Sequence, residues 1–205
     1  RDARSQRYLL SHELSSTLVA DPALLLEANS SATSSQDKPL LIIPRGDQPD
    51  IQTALMQLVA SLSVDRHYQH PLAILALSPQ TDTPAALALQ QQAHSQGQSV
   101  QMWHADTPQL ASQRIASARA VLSVRLHGLI LAAANGVPYS GIVYDPKVAA
   151  FLDETAAPRY HLPEDTDRLS EAVKQQPQLA WDKIDALKAR AQDGLVWLAK
   201  QLEHP

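Results

Sequence analysis

Cysteine is absent from this chain, and that gap excludes disulfide bridges, thiolate metal sites and a cysteine nucleophile. The same absence agrees with a reducing compartment, so the cytoplasm is the expected location. Glycine is scarce, six in 205 residues. Neither G-x-G-x-x-G nor G-x-x-x-x-G-K-[ST] occurs, which disfavours a wrapped nicotinamide or flavin cofactor and a P-loop. A G-x-S-x-G nucleophile elbow is missing too. No stretch reaches the roughly eighteen consecutive apolar residues of a membrane span, and no signal-peptide pattern is present, so no transmembrane segment is expected. Net charge is −4 and no basic run exists. A general nucleic-acid or anionic-membrane surface is therefore disfavoured, and any anion binding must be local. The eight histidines form no H-x-x-x-H pair and no H-E-x-x-H motif, so no metal is expected, and His67 with His70 reads as a solvated loop pair.

What is present is alternation. A charged helical segment ends around Leu14, and a short extended piece precedes Asp21-Pro22, because proline disfavours helix for its predecessor. Asn29 to Lys38, N-S-S-A-T-S-S-Q-D-K, has no hydrophobic period and reads as a flexible loop. From Pro39 onward, short apolar runs alternate with helical patterns. P-L-L-I-I-P precedes a helix marked by Ile51, Leu55, Leu58, Val59 and Leu62, with Asp50 placed to cap it. P-L-A-I-L-A-L-S precedes a helix from about Thr83 to Ser95, closed by Gly97. S-V-Q-M-W precedes a helix from about Thr107 to Ala118. A-V-L-S-V leads into R-L-H-G-L-I-L-A-A-A-N-G, and P-Y-S-G-I-V-Y into D-P-K-V-A-A-F-L. This rhythm predicts an α/β, doubly wound, mostly parallel sheet covered on both faces, formed by residues 1–205 as one domain. D-T-D-R-L-S-E-A-V-K predicts one further helix, and residues 178–203 a longer C-terminal one that carries Trp181, Ile184, Leu187, Leu195 and Leu198. Trp103, Trp181 and Trp197 read as core or domain-contact residues rather than stacking platforms.

Two interruptions in apolar runs point to chemistry. In an open parallel sheet, ligands bind at the carboxyl ends of the strands, where helix N-termini present unpaired N–H groups and a positive dipole end. With a strand over Ala120–Val124 and a helix over Leu126–Asn135, Arg125 and His127 fall at that edge. With a strand over Tyr139–Tyr144, Asp145-Pro146-Lys147 falls there as well. Arg45 directly follows the first strand and precedes Gly46, which lets a backbone approach a ligand closely. These cations suit a phosphate or carboxylate. A cation at a helix N-terminus opposes the macrodipole at a cost of about 0.3–1 kcal/mol, so Arg125 is not there for helix stability. His127 stands equally as a capping or satisfied core histidine, Asp145 reads first as a turn former, and Arg45 has Asp47 and Asp50 within reach.

R-L-H-G-L-I-L-A-A-A-N-G-V-P followed by Y-D-P-K-V-A-A-F-L, over Ser123 to Leu152, resembles the polysaccharide pyruvyl transferase family. R-D-x-x-S at Arg1 to Ser5 and A-D-P at Ala20 to Pro22 are similar to the entry into that family's C-terminal half. The opening R-D-A-R-S has no initiator methionine, and with the resemblance it implies an upstream N-terminal domain that this chain lacks. The resemblance further implies a GT-B-like fold, no cofactor, and phosphoenolpyruvate as donor of a pyruvate ketal to a sugar or lipid-linked saccharide of a cell-wall or exopolysaccharide precursor. It implies Arg125, Leu126 and Lys147 as substrate-binding residues, with Arg45 a weaker anion-binding candidate and His127 as general acid or base. On this reading Arg125→Ala or Lys147→Ala abolishes donor binding with the fold intact. Two other readings stay open: a GT-B domain that binds a nucleotide sugar at the same edge, and a non-catalytic anion-binding module.

Overall fold

The computed structural model describes residues 3–28, 38–65 and 68–203. The loop expected over 29–38 lies outside them except for Lys38, and so does His67 of the expected histidine pair. After α1 (Ala3–Leu10) and a single tight turn at Pro22–Leu25, the chain alternates: β1 (Leu40–Ile43), α2 (Pro49–Val64), β2 (Leu72–Leu75), α3 (Pro79–Ser95), β3 (Val100–Trp103), α4 (Pro108–Ala116), β4 (Ala120–Ser123), α5 (Leu126–Ala134), β5 (Tyr139–Ile142), α6 (Pro146–Glu154) and β6 (Arg159–Tyr160). Helices α7 (Thr166–Ala172) and α8 (Trp181–Glu203) follow. The six strands form one sheet of order β3-β2-β1-β4-β5-β6, parallel at every pairing. The fold is α/β and Rossmann-like.

Strand residues alternate between the two faces. Leu41 and Ile43 of β1 pack with α4, α5, α6 and α8 residues such as Ile115, Leu129, Leu152 and Leu187. Leu40 and Ile42 pack on the other side with α2, α3 and α7 residues such as Leu55, Leu89 and Leu169. Both faces are covered, which is why β1, β2, β4 and β5 are buried at every position and read as continuous apolar runs.

Helix starts differ from the sequence expectation, and proline is the reason. Pro49, Pro79, Pro108 and Pro146 each open a helix, where a missing N–H costs nothing and φ is already set. Asp50 therefore sits in the first turn of α2, behind a Gln48 cap, and its charge faces the dipole instead of capping. Helix α3 starts at Pro79 and carries Pro84 inside it. Its first turn is fastened by Asp82, whose Oδ2 accepts from the Ser78 backbone N–H at 3.0 Å.

The periodicity of α8 also splits. Ile184, Leu187 and Ala191 are buried against the sheet layer, whereas Leu195, Val196, Trp197, Leu198 and Leu202 are exposed. Of the three tryptophans, Trp181 and Trp197 are exposed rather than core, whereas Trp103 is half-buried against the core, its ring 5.8 Å from the Arg114 guanidinium. Among the described residues, no helix is long and apolar enough to cross a membrane.

Candidate functional site

Strand order reverses between β1 and β4: the chain leaves β1 towards β2 and β3 on one side, and leaves β4 towards β5 and β6 on the other. Loops leaving the carboxyl ends of these neighbours diverge, and a crevice opens between them. A cavity of about 780 Å³ lies there. Arg45, Arg125, Leu126, His127, Tyr144 and Lys147 line it, so all five residues expected from sequence reach one cavity. Leu26, Leu77, Ala105 and Leu131 form an apolar wall. A second cavity, of about 610 Å³, sits at the opposite edge beside Arg119 and Pro138, which precede β4 and β5. Among the described residues that line it, none is the carboxyl end of a strand or the start of a helix.

Arg125 is the N-cap of α5, with extended backbone (φ −87, ψ 128). Ser123, wholly buried at the end of β4, accepts from the Arg125 N–H at 3.0 Å and donates its hydroxyl to the Arg125 carbonyl at 2.8 Å. This small ring turns the chain from strand to helix. Gly128 completes the turn: a Cβ there would lie 2.3 Å from Ser123 Oγ and 2.8 Å from Ile43 Cδ1, so only glycine lets α5 sit this close to β1 and β4.

The Arg125 side chain is held by a residue that the sequence reading did not single out. Nε donates to Asp82 Oδ2 at 2.9 Å, Nη2 donates to Asp82 Oδ1, and Nη2 also donates to Thr81 Oγ1 at 2.8 Å. The Asp82 side chain is 0% exposed and that of Arg125 19%. Asp82 also accepts from the Gly46 N–H at 3.3 Å and from Thr81 Oγ1 at 3.0 Å. Gly46 is needed at this contact, because a Cβ would stand 1.7 Å from the Thr81 carbonyl oxygen. One carboxylate thus ties together the loops after β1, β2 and β4. This corrects the expectation that Arg125→Ala leaves the fold intact: truncation strands a buried, uncompensated carboxylate.

The other cations pair with aspartates that are not buried, His127 and Lys147 loosely and Arg45 in a close fork. His127, in the first turn of α5, is 58% exposed, with Nε2 3.8 Å from Asp21 Oδ2; it is not a core histidine. Lys147 is 47% exposed, with Nζ 3.7 Å from Asp145 Oδ2. Asp145 is the N-cap of α6 and accepts from the Lys147 N–H at 2.8 Å, so it does shape the turn. Arg45 donates to both Asp47 oxygens and to the Tyr144 hydroxyl at 2.6 Å, and its guanidinium lies 4.3 Å from the Tyr144 ring centroid. The Arg45 hydrogen bond holds the Asp47 carboxyl below the usual carboxylate range, and the Asp47 partner raises Arg45 in turn.

Every cation at the rim therefore has an aspartate beside it, but only Asp82 is buried. The exposed His127 and Lys147 pairs, at 3.8 and 3.7 Å, contribute at most about 1 kcal/mol each. The sequence reading missed Asp82, Ser123 and Tyr144. For Tyr144 a signal was present, since it immediately precedes the D-P-K turn. Among the described residues, no group of three or more His, Asp or Glu side chains is arranged to hold a metal ion.

A parallel sheet of this order, with cationic side chains gathered at the carboxyl edge of its switch point, defines a Rossmann-like fold with a cation-lined crevice. A family model, Polysaccharide pyruvyl transferase, matches residues 1–146, and the chain belongs to that family. The match contains Arg45, Arg125, Leu126 and His127 and ends one residue before Lys147, so the placing of Lys147 rests on geometry. No curated protein matches the chain in sequence. Among solved structures it is similar to a trehalose-6-phosphate synthase, OtsA, at 12% identity and a TM-score of 0.53, over 89% of this chain and 48% of that one. The chain spans about half the length of that structure. At this identity the likeness concerns the fold.

Proposed function

We propose that this chain is the donor-binding part of a pyruvyl transferase that uses phosphoenolpyruvate to form a pyruvate ketal on a saccharide. One observation carries the reading: Arg45, Arg125, His127 and Lys147 line a single cavity at the strand ends of an otherwise acidic protein. Phosphoenolpyruvate bears a phosphate ester and a carboxylate on the same central carbon, and a guanidinium, an ammonium and α5 N–H groups complement both. In the reaction the enol CH2 gains a proton and becomes the ketal methyl, two acceptor hydroxyls bond to the central carbon and lose their protons, and the phosphate leaves with its bridging oxygen. Arg125 and Lys147 bind the donor's anionic groups, with Leu126 against it and Arg45 at the rim. His127 moves a proton to the enol carbon or from an attacking hydroxyl. Its exposure gives it access to the open cavity, with Nε2 3.8 Å from Asp21 Oδ2. The acceptor would be completed by a further domain, in keeping with the half-length overlap with OtsA.

A nucleotide-sugar donor is the second reading, favoured by the apolar wall of Leu26, Leu77, Ala105 and Leu131, which suits a base better than a three-carbon acid. Calorimetry on the chain with phosphoenolpyruvate and, separately, with a nucleoside diphosphate discriminates between them. Phosphoenolpyruvate is expected to bind, with Lys147→Ala weakening it about tenfold, as for one charge-assisted contact, rather than abolishing it, since Arg45 and Arg125 line the same cavity. Because Lys147 is half exposed and its ionic contact to Asp145 spans 3.7 Å, this variant should melt with the parent. Binding of the diphosphate alone, or an affinity indifferent to Lys147, would remove the proposal.

A further inference from the structure

We propose that Asp82 is a positioning residue for the donor site: it fixes the Arg125 guanidinium so that only Nη1 is offered to the incoming anion. The inference rests on the donor reading above and deepens it.

The hydrogen-bond inventory of Arg125 supports this. A guanidinium has five N–H donors. The Nε–H and one Nη2–H form a fork onto the two Asp82 oxygens, and the second Nη2–H goes to Thr81 Oγ1. Both Nη1 hydrogens have no protein acceptor among the described residues, while Arg125 lines the cavity. The edge that ordinarily grips a carboxylate or phosphate bidentately is thus occupied from within, and a ligand receives the remaining nitrogen in a fixed direction.

A purely structural role explains less. Buried ion pairs are often matched or exceeded in stability by apolar side chains of similar volume, so stability alone does not call for a carboxylate at 0% exposure. Asp82 also comes with five donors: two from Arg125, two backbone N–H groups and a hydroxyl. Such a fully satisfied carboxylate cannot swing, and neither can the guanidinium on it. The expected gain is pre-organisation: Arg125 does not have to be ordered when the donor arrives.

The test is a double-mutant cycle read as phosphoenolpyruvate affinity on the full chain. Asp82→Asn is expected to weaken binding about tenfold and Arg125→Met by about a hundredfold, and the double variant should bind no more weakly than Arg125→Met alone. Equal affinity of Asp82→Asn and the parent, or penalties that multiply in the double variant, would overturn the proposal while leaving the donor site standing. Unchanged affinity in Arg125→Met would overturn both. Should Asp82→Asn fail to fold, the parent itself supplies the answer: its Arg125 Nε–H is expected to exchange slowly with solvent, with and without phosphoenolpyruvate. Rapid exchange in the free chain, or transfer of that hydrogen bond to the donor, contradicts a clamp.

Discussion

Arg125→Met is expected to cost the protein about 3–5 kcal/mol of stability, the range for breaking one side of a buried pair, in addition to donor binding. The size follows from what is left behind. Asp82 is fully buried and would keep only neutral donors, from the Gly46 and Ser78 backbone and the Thr81 hydroxyl. Against the roughly 5–15 kcal/mol that holds a typical domain, this is a large share. Urea unfolding should show the midpoint falling with the slope preserved, since the surface exposed on unfolding is unchanged. A midpoint like that of the parent at neutral pH would mean that the pair is not formed as described.

His127→Ala should leave stability where it is and lower turnover by about 10²–10⁴-fold, the usual contribution of a positioned proton-transfer group. The imidazole is more than half exposed, and its ionic contact to Asp21 spans 3.8 Å, so little packing is lost. Donor affinity should change much less than turnover, since Arg125 and Lys147 remain. The measurement is steady-state release of phosphate by the complete enzyme with its acceptor, with the melting temperature recorded beside it. Near-normal turnover would exclude the proton-transfer role, and a large fall in melting temperature would show that the ring is structural after all.

The sheet was legible because its central strands are buried on both faces. L-L-I-I at β1 and L-A-I-L at β2 have no polar residue to interrupt them, and an unbroken short apolar run between turn signals reads as a buried parallel strand. Strand β6 was not legible, since Arg159–Tyr160 is two residues long and half exposed. Helix starts slid where proline carried two meanings. The helix expected from about Thr83 begins at Pro79, and Pro84 lies within it. At α8 one hydrophobic period covered two environments, and no local pattern marks that burial stops after Ala191.

The site divided in the same way. Arg125, His127 and Lys147 were visible because a cation inside or directly after an apolar run is costly and so calls for a reason. Asp82 was invisible for the opposite cause: an acidic residue in the first turn of a helix is ordinary. Its partner lies 43 residues away, a separation that no motif spans. Ser123 likewise looked like the end of a strand until its hydroxyl was seen to close on both backbone groups of Arg125. Sequence therefore exposed the groups that face the cavity, and it concealed those that hold them.

A crystal structure of the chain with phosphoenolpyruvate bound tests the central claim most directly. The account predicts one donor molecule at the β1–β4 switch point, an anionic oxygen about 3 Å from Arg125 Nη1, Lys147 and His127 on the same molecule, and the Arg125–Asp82 pair unbroken. Donor density elsewhere, such as beside Arg119 at the opposite edge, or an empty crevice at saturating donor, would contradict it.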